Sequence, residues 1–258
     1  MARPPRSNHE WIHWGESDPL WSVSTHEGRQ RTGPNPWTDD EFYATGAADW
    51  PVFERAWSRY GRKADAPCLE IGCGAGRLTG QIHQSFARAI GIDVSQGMLD
   101  RARTRWGDGI EWHLTEGAEL PVASGSLGGV FSTFVFQHFD RADHGLDYFG
   151  EVARVLAPGG SCMIHAPFVK WPPNEGGLLD RSVRRALTMA DASKAAASRA
   201  LAVFRRWRGT PVMRRIHYEA ESLHEYVRSL GLVDVELVAI GALGLSWVFA
   251  RQPSTSAS

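Results

Sequence analysis

From residue 65 to 166 short apolar runs alternate with longer amphipathic ones. The apolar runs are residues 67–71, 88–93, 110–115, 129–135 and 161–166, each the length of a buried strand. Between them, residues 77–86, 96–105 and 142–156 repeat their apolar positions at helical spacing. Further on, residues 223–230 read as a helix opened by a capping box from Ser222 to Glu225 and stopped by Gly231. Two more strands, 233–240 and 243–251, follow with no helix between them. Alternating β and α runs predict a parallel sheet with helices on both faces, and a final strand that returns directly must run antiparallel. Near the start, Thr38 to Glu41 forms a second capping box. Asp49, Pro51 and Gly61 mark the cap, first turn and stop of another expected helix. Residues 169–215 fit none of these units and read as a helical insert after the fifth strand. The expected organisation is an aromatic-rich lid over 1–60, a core over 61–168, an insert capping the substrate over 169–216, and the rest of the sheet with a tail over 217–258.

Composition narrows the class. A chain of 258 residues, 43% hydrophobic, can bury one sizeable core, and a net charge of −1 offers no global pull toward nucleic acid or an acidic membrane. Cys68, Cys73 and Cys162 lie in or beside apolar runs and form no C-x-x-C pair, so reduced core thiols are expected, not a disulfide or a metal site. The first residues hold no apolar stretch of signal-peptide type. The longest apolar region, 230–250, is interrupted by Asp234 and Glu236, so no membrane span is expected and the cytoplasm is the expected location.

The candidate chemistry begins at the first strand's end, "CLEIGCGAGRLTG". Gly72, Gly74 and Gly76 stand at alternate positions, with Glu70 two places before them. A glycine turn between strand and helix bares backbone N–H groups to a ligand. The dinucleotide fingerprint G-x-G-x-x-G is excluded, because Arg77 and Thr79 stand where its last glycine belongs, and the absence of Gly-Lys-Ser/Thr excludes a P-loop. On this segment alone a plain structural turn remains open. Open α/β sheets bind ligands beyond the carboxyl ends of their strands. The second strand ends at Asp93, a carboxylate suited to the vicinal hydroxyls of a ribose, with Ser95 placed to cap the next helix. The third leads to Glu116 and Gly117, whose acceptor and donor match an adenine edge. Helix-start and solvated-turn readings of both stay open.

Taken together, "LEIGCGAG", "GID", "GAELP" and "RVLAPGG", in this order and spacing, resemble the class I S-adenosylmethionine-dependent methyltransferases. The likeness is to the small-molecule branch typified by ubiquinone/menaquinone-type and natural-product enzymes, and it covers roughly residues 65–166. It implies a Rossmann-like, seven-stranded, mostly parallel sheet with the last strand antiparallel. It implies S-adenosyl-L-methionine as cofactor, contacted by Gly72, Gly74, Gly76, Asp93, Glu116 and Gly117, with Thr133 and Phe134 beside the methionine end. Glu70, Cys73, Val94 and Met98 complete the expected set, with Tyr43 from the lid. Two departures stand out. Glu116 replaces the more usual aspartate, and "SLGGV" puts Leu127 and Gly128 where the family has Phe-Asp, so local looseness is expected there.

Methyl transfer is an in-line displacement that needs alignment above all, and a base where the nucleophile carries a proton. His138, after the fourth strand, is the first candidate base, His165 at the end of the fifth the second, and His217 a weaker third. The expected reaction is O-, N- or C-methylation of a small molecule, a secondary metabolite by this resemblance, with no metal. The alternatives are methylation of RNA or protein, favoured by ten basic residues against Asp191 between Arg181 and Arg215, and a cyclase that binds the cofactor without transferring methyl.

Overall fold

The computed structural model describes residues 6–169, 215–240 and 245–254. Its strands are β1 (Cys68–Ile71), β2 (Ala89–Asp93), β3 (Glu111–Leu114), β4 (Leu127–Ser132), β5 (Leu156–His165), β6 (Phe168–Val169), β7 (Tyr218–Glu219), β8 (Val233–Ile240) and β9 (Leu245–Arg251). Seven of them form one sheet in the order β3-β2-β1-β4-β5-β9-β8. Neighbours from β3 to β5 pair parallel, whereas β9 is antiparallel to both β5 and β8, as expected of a strand that returns without a helix. β6 and β7 make a separate two-stranded ribbon.

The period-2 pattern of the strands sorts their side chains between two cores. Leu69, Ile71, Val130, Cys162, Ile164, Val248 and Ala250 face one cluster with Phe149 and Val152 of α6 (Ala142–Val155) and Leu223 and Val227 of α7 (Ala220–Ser229). Cys68, Phe131, Met163, Trp247 and Phe249 face the other. There they meet Trp50 and Trp57 of α3 (Asp39–Ser58), Ile82 of α4 (Thr79–Ser85) and Leu99 of α5 (Gln96–Trp106). Helices therefore cover both faces.

The structure corrects four expectations. The two helices foreseen around residues 38 and 49 are one, α3, which opens on the Thr38–Glu41 capping box and runs through Pro51. Proline removes one helical hydrogen bond, but an unbroken α3 holds Trp50 Nε1 on Ser85 Oγ at 2.9 Å and Trp57 Nε1 on Ser161 Oγ at 2.8 Å. Asp49 caps nothing and instead pairs with Arg77. The cap of α7 is Glu219, not Ser222: its carboxylate accepts from Glu221 N and Ser222 N, satisfying two orphan donors. Strand β5 starts at Leu156 and continues through Pro158, Gly159 and Gly160, which were expected to lie between helix and strand. Finally, the register shifts between Leu127 and Gly129, yet the segment is tight: a Cβ on Gly128 would stand 2.1 Å from Lys63 O. Two helices not foreseen, α1 (Arg6–Ser17) and α2 (Pro19–Val23), lie in the entry segment. The expected insert and its basic residues from Arg181 to Arg214 lie outside the described residues.

Close packing at Gly80, in the first turn of α4, supports one quantitative expectation. A Cβ there would lie 2.1 Å from Trp106 Cζ2 of α5. Gly80→Ala gains helix propensity of about 1 kcal/mol, but forcing the rigid indole aside costs about 1–3 kcal/mol. The variant should unfold at lower denaturant than the wild type. A higher midpoint would show that Trp106 yields freely.

Candidate active site

The glycine turn leaves β1 at Ile71. Gly72 and Cys73 both donate N–H bonds to Ile92 O at 2.8 and 2.9 Å, which ties the turn to β2. Gly72 has φ 69°, Gly74 52° and Gly76 79°. Gly72 is doubly constrained, since a Cβ would also fall 2.2 Å from Val135 Cγ2. Asp93, the last residue of β2, closes the ring: one carboxylate oxygen accepts from Gly74 N at 2.8 Å and the other from Ser95 N at 2.9 Å. Burial raises its pKa above the ordinary carboxylate value. Ser95 caps α5, as expected, accepting from Met98 N.

The turn is braced from behind. Tyr43 is buried and donates its hydroxyl to Ala75 O at 3.0 Å, while Arg105 lies over its ring. Arg77 bonds to Asp49 and Thr45 of α3, so its charge is spent on the outside of the turn. Glu70 is 3% exposed and accepts from Thr79 Oγ1. Cys73 is a buried free thiol, as are Cys68 and Cys162, and burial pushes all three up in pKa.

Burial pushes the Glu70 carboxyl up to about 8 from an ordinary 4.5. A raised carboxyl stabilises the fold fully below its unfolded pKa and loses that contribution as pH rises through the folded one. The melting temperature should therefore decline from about pH 4.5 toward pH 8, and Glu70→Gln should flatten the decline. Parallel pH curves for the two proteins would place the titration elsewhere.

Beyond β3, Glu116 is exposed and its backbone carbonyl accepts from Asn8 Nδ2 at 3.0 Å. Among the described residues Gly117 has no atom within 4 Å of a would-be Cβ, and its carbonyl accepts from Thr115 Oγ1 and Tyr148 OH. Val94 is half-buried beside Asp93, and Met98 is buried under Gly15.

The end of β4 is irregular. Thr133 Oγ1 is buried with no hydrogen-bond partner among the described residues. Phe134 adopts φ 60°, a left-handed conformation unusual for a bulky residue, and is 38% exposed. Its ring lies 4.8 Å from that of His165, at the end of β5. His165 is 2% exposed, its Nδ1 has no partner among the described residues, and it packs on Trp247. Burial, reinforced by His138 and Arg215, lowers its pKa to about 4. His138 closes a short 3-10 turn over Phe136–His138, with its Nε2 2.9 Å from Gln137 Nε2 and its ring 4.9 Å from Trp11. His217 is exposed on the returning chain, whose neighbour Ile216 donates to Gln137 O at 2.7 Å.

Sequence reasoning expected an aromatic lid over residues 1–60 but not the helices that build it. Along α1, Ser7, Trp11 and Trp14 follow at i, i+4 and i+7, and Asn8 and Gly15 flank them. Asn8 reaches the Glu116 carbonyl and Trp11 meets His138. A Cβ on Gly15 would fall 2.1 Å from Ser95 Oγ, and one on Gly74 3.1 Å from Val23 Cγ2 of α2. The two helices thus touch the ends of β1, β2, β3 and β4. The tryptophan spacing was the available signal. Under these two helices lie Asp93 beside the glycine turn, the loop after β3 and, against Trp11, His138, with His165 one ring further on across Phe134.

Residues 69–164 match the methyltransferase domain family. The chain is 28% identical over 214 residues to the ubiquinone/menaquinone biosynthesis C-methyltransferase of Desulfotalea psychrophila, covering 75% of this chain and 79% of that one. It is 38% identical over 96 residues to the biotin biosynthesis bifunctional protein of Cellvibrio japonicus, 37% of this chain but only 18% of that one. A structure titled as a complex between the Haloferax volcanii Trm112 methyltransferase activator and the putative methyltransferase superposes with a TM-score of 0.58. It covers 98% of this chain and 100% of its own at 15% identity, a likeness of fold.

Proposed function

We propose that this chain, whose residues 69–164 form a class I S-adenosylmethionine-dependent methyltransferase domain, methylates a small-molecule acceptor. The single observation that carries the proposal is Asp93, bonded to the Gly74 N–H at the end of β2 with its carboxylate held beside the bare turn. The residues fit the cofactor. Asp93 suits the ribose diol, Gly72, Gly74 and Gly76 take left-handed φ values that leave the turn's N–H groups at the carboxyl end of β1, Gly117 has open space among the described residues, and Thr133 Oγ1 has no hydrogen-bond partner among them. When bound, S-adenosylmethionine supplies a methyl group already activated on sulfonium.

The protein's own part is alignment, exclusion of water and proton removal. Trp11 and Phe134 flank the two imidazoles with apolar surface. We assign the base to His165, because its Nδ1 has no partner among the described residues and it stays neutral at pH 7. His138, the first candidate from sequence, is engaged by Gln137 and Trp11 and holds that wall in place. An imidazole with so low a pKa is a weak base, so it suits an acceptor whose own proton is labile, an acidic secondary-metabolite hydroxyl foremost. The net charge of −1 and the likeness over three quarters of the chain to an enzyme of quinone biosynthesis support a small molecule over RNA.

Calorimetry should show binding of S-adenosylhomocysteine in preference to NAD, and labelled cofactor should mark small molecules in an acceptor screen. Tighter NAD binding would refute the cofactor assignment. Label entering only tRNA or protein would refute the acceptor class.

A further inference from the structure

Resting on that reading of the reaction, we infer that the ring of Phe134 is the surface on which a flat, aromatic acceptor stacks. From Phe131 to Phe139 it is the one exposed side chain, at 38%, while every neighbour in the run is buried or half-buried. A lone exposed apolar side chain is ordinary on a protein surface. This one stands at the carboxyl end of β4, where open α/β sheets meet their ligands, and its own backbone resists the arrangement.

Phe134 has φ 60°. That angle crowds the Cβ of a bulky residue, whereas glycine takes it freely. The path around it is pinned. Ser132 Oγ donates to Ile71 O at 3.0 Å, and Val135 packs so closely on Gly72 that a Cβ there would fall 2.2 Å from Val135 Cγ2. Those contacts call for a bend at residue 134, which glycine would make without strain. They make no use of a phenyl ring. A strained residue whose side chain stays open points to a ligand.

The ring leans on His165 with centroids 4.8 Å apart and planes 51° from parallel. Its open part is thus set beside the imidazole assigned as base. His165 in turn meets Trp247, and His138 meets Trp11. Against such rings a planar π system gains offset or edge-on contacts beyond its buried area; an aliphatic alcohol gains area alone. The base selects the same class. With its pKa lowered to about 4, His165 needs an acidic hydroxyl. A hydroxyl on an aromatic ring is one, with a pKa of about 10 as in tyrosine.

The test compares phenol with its saturated, puckered counterpart cyclohexanol, each titrated into the full chain saturated with S-adenosylhomocysteine. The wild type should prefer the flat ring by about three- to tenfold, the range of one aromatic pair. Phe134→Leu keeps apolar bulk and removes the π face, so the preference should vanish. Phe134→Gly should abolish it too, with the bend kept and its strain relieved. S-adenosylhomocysteine affinity should stay within about twofold in both variants, which also reports that they are folded. No preference in the wild type, or a preference that survives in Phe134→Leu, overturns the inference. S-adenosylhomocysteine weakened as much as phenol makes Phe134 a cofactor contact and overturns it too. A wild type that binds no S-adenosylhomocysteine overturns the cofactor assignment beneath it.

Discussion

Asp93→Ala should weaken S-adenosylhomocysteine by roughly ten- to a hundredfold. Two separate losses set that range. The ribose hydroxyls lose a charged acceptor, worth about 1–3 kcal/mol when its partners stay desolvated. The turn also loses its latch, because Gly74 N and Ser95 N each donate to this carboxylate. Asp93→Asn grades the two. It keeps one acceptor oxygen for one of the two N–H groups and turns its NH2 toward the other, so it should fall between wild type and alanine both in affinity and in melting temperature. Calorimetry with a melting curve for each variant checks both. Unchanged affinity in a folded Asp93→Ala protein would put the ribose somewhere other than the end of β2.

His165→Ala should slow methyl transfer about 10²-fold, the low end for loss of a general base, while leaving S-adenosylhomocysteine affinity intact. The pH profile carries the diagnosis. Because the His165 pKa is lowered to about 4 from an ordinary 6.5, the imidazole is neutral and able to accept a proton down to about pH 4. The acid limb of kcat/KM should accordingly lie near 4, and the variant should lack it. The same depression contributes stability that is present above pH 6.5 and lost as pH falls through about 4. His138→Ala should affect rate less and thermal stability more, since that ring packs on Trp11. If the limb instead sits near 6.5 and vanishes in His138→Ala, the two histidines exchange roles.

Much of this was legible because it is local. Each strand of the parallel sheet announced itself as a short apolar run, and the three glycines, Asp93 and Ser95 are defined by neighbours in sequence. What was not legible depends on distant partners. The continuity of α3 through Pro51 is decided by Ser85 and Ser161, 35 and 104 residues from the tryptophans they meet. Glu219 outcompetes Ser222 as a cap through placement of its carboxylate, which no local pattern encodes. The tightness at Gly128 comes from the Lys63 carbonyl, so the missing Phe-Asp signalled looseness where the backbone is in fact close. The hydrogen bond from Tyr43 to the Ala75 carbonyl, which braces the glycine turn, joins residues 32 apart and has no local signal. And α1 carries mean polarity too high for a core helix, so its role rests on where it docks.

The position of β9 has a consequence for biosynthesis. It is made after β8, yet it lies between β8 and β5. As the chain leaves the ribosome, β8 has no strand to join, and the growing sheet ends at an open β5 edge whose polar backbone is unpaired. Residues 245–251 fold back on β8 and close the β5 edge, pairing Ser161 with Arg251 and His165 with Trp247. Contacts of such long separation form slowly. A nascent chain stalled before residue 245 should therefore be the species most in need of chaperone protection, and completion of the sheet should coincide with burial of Trp247.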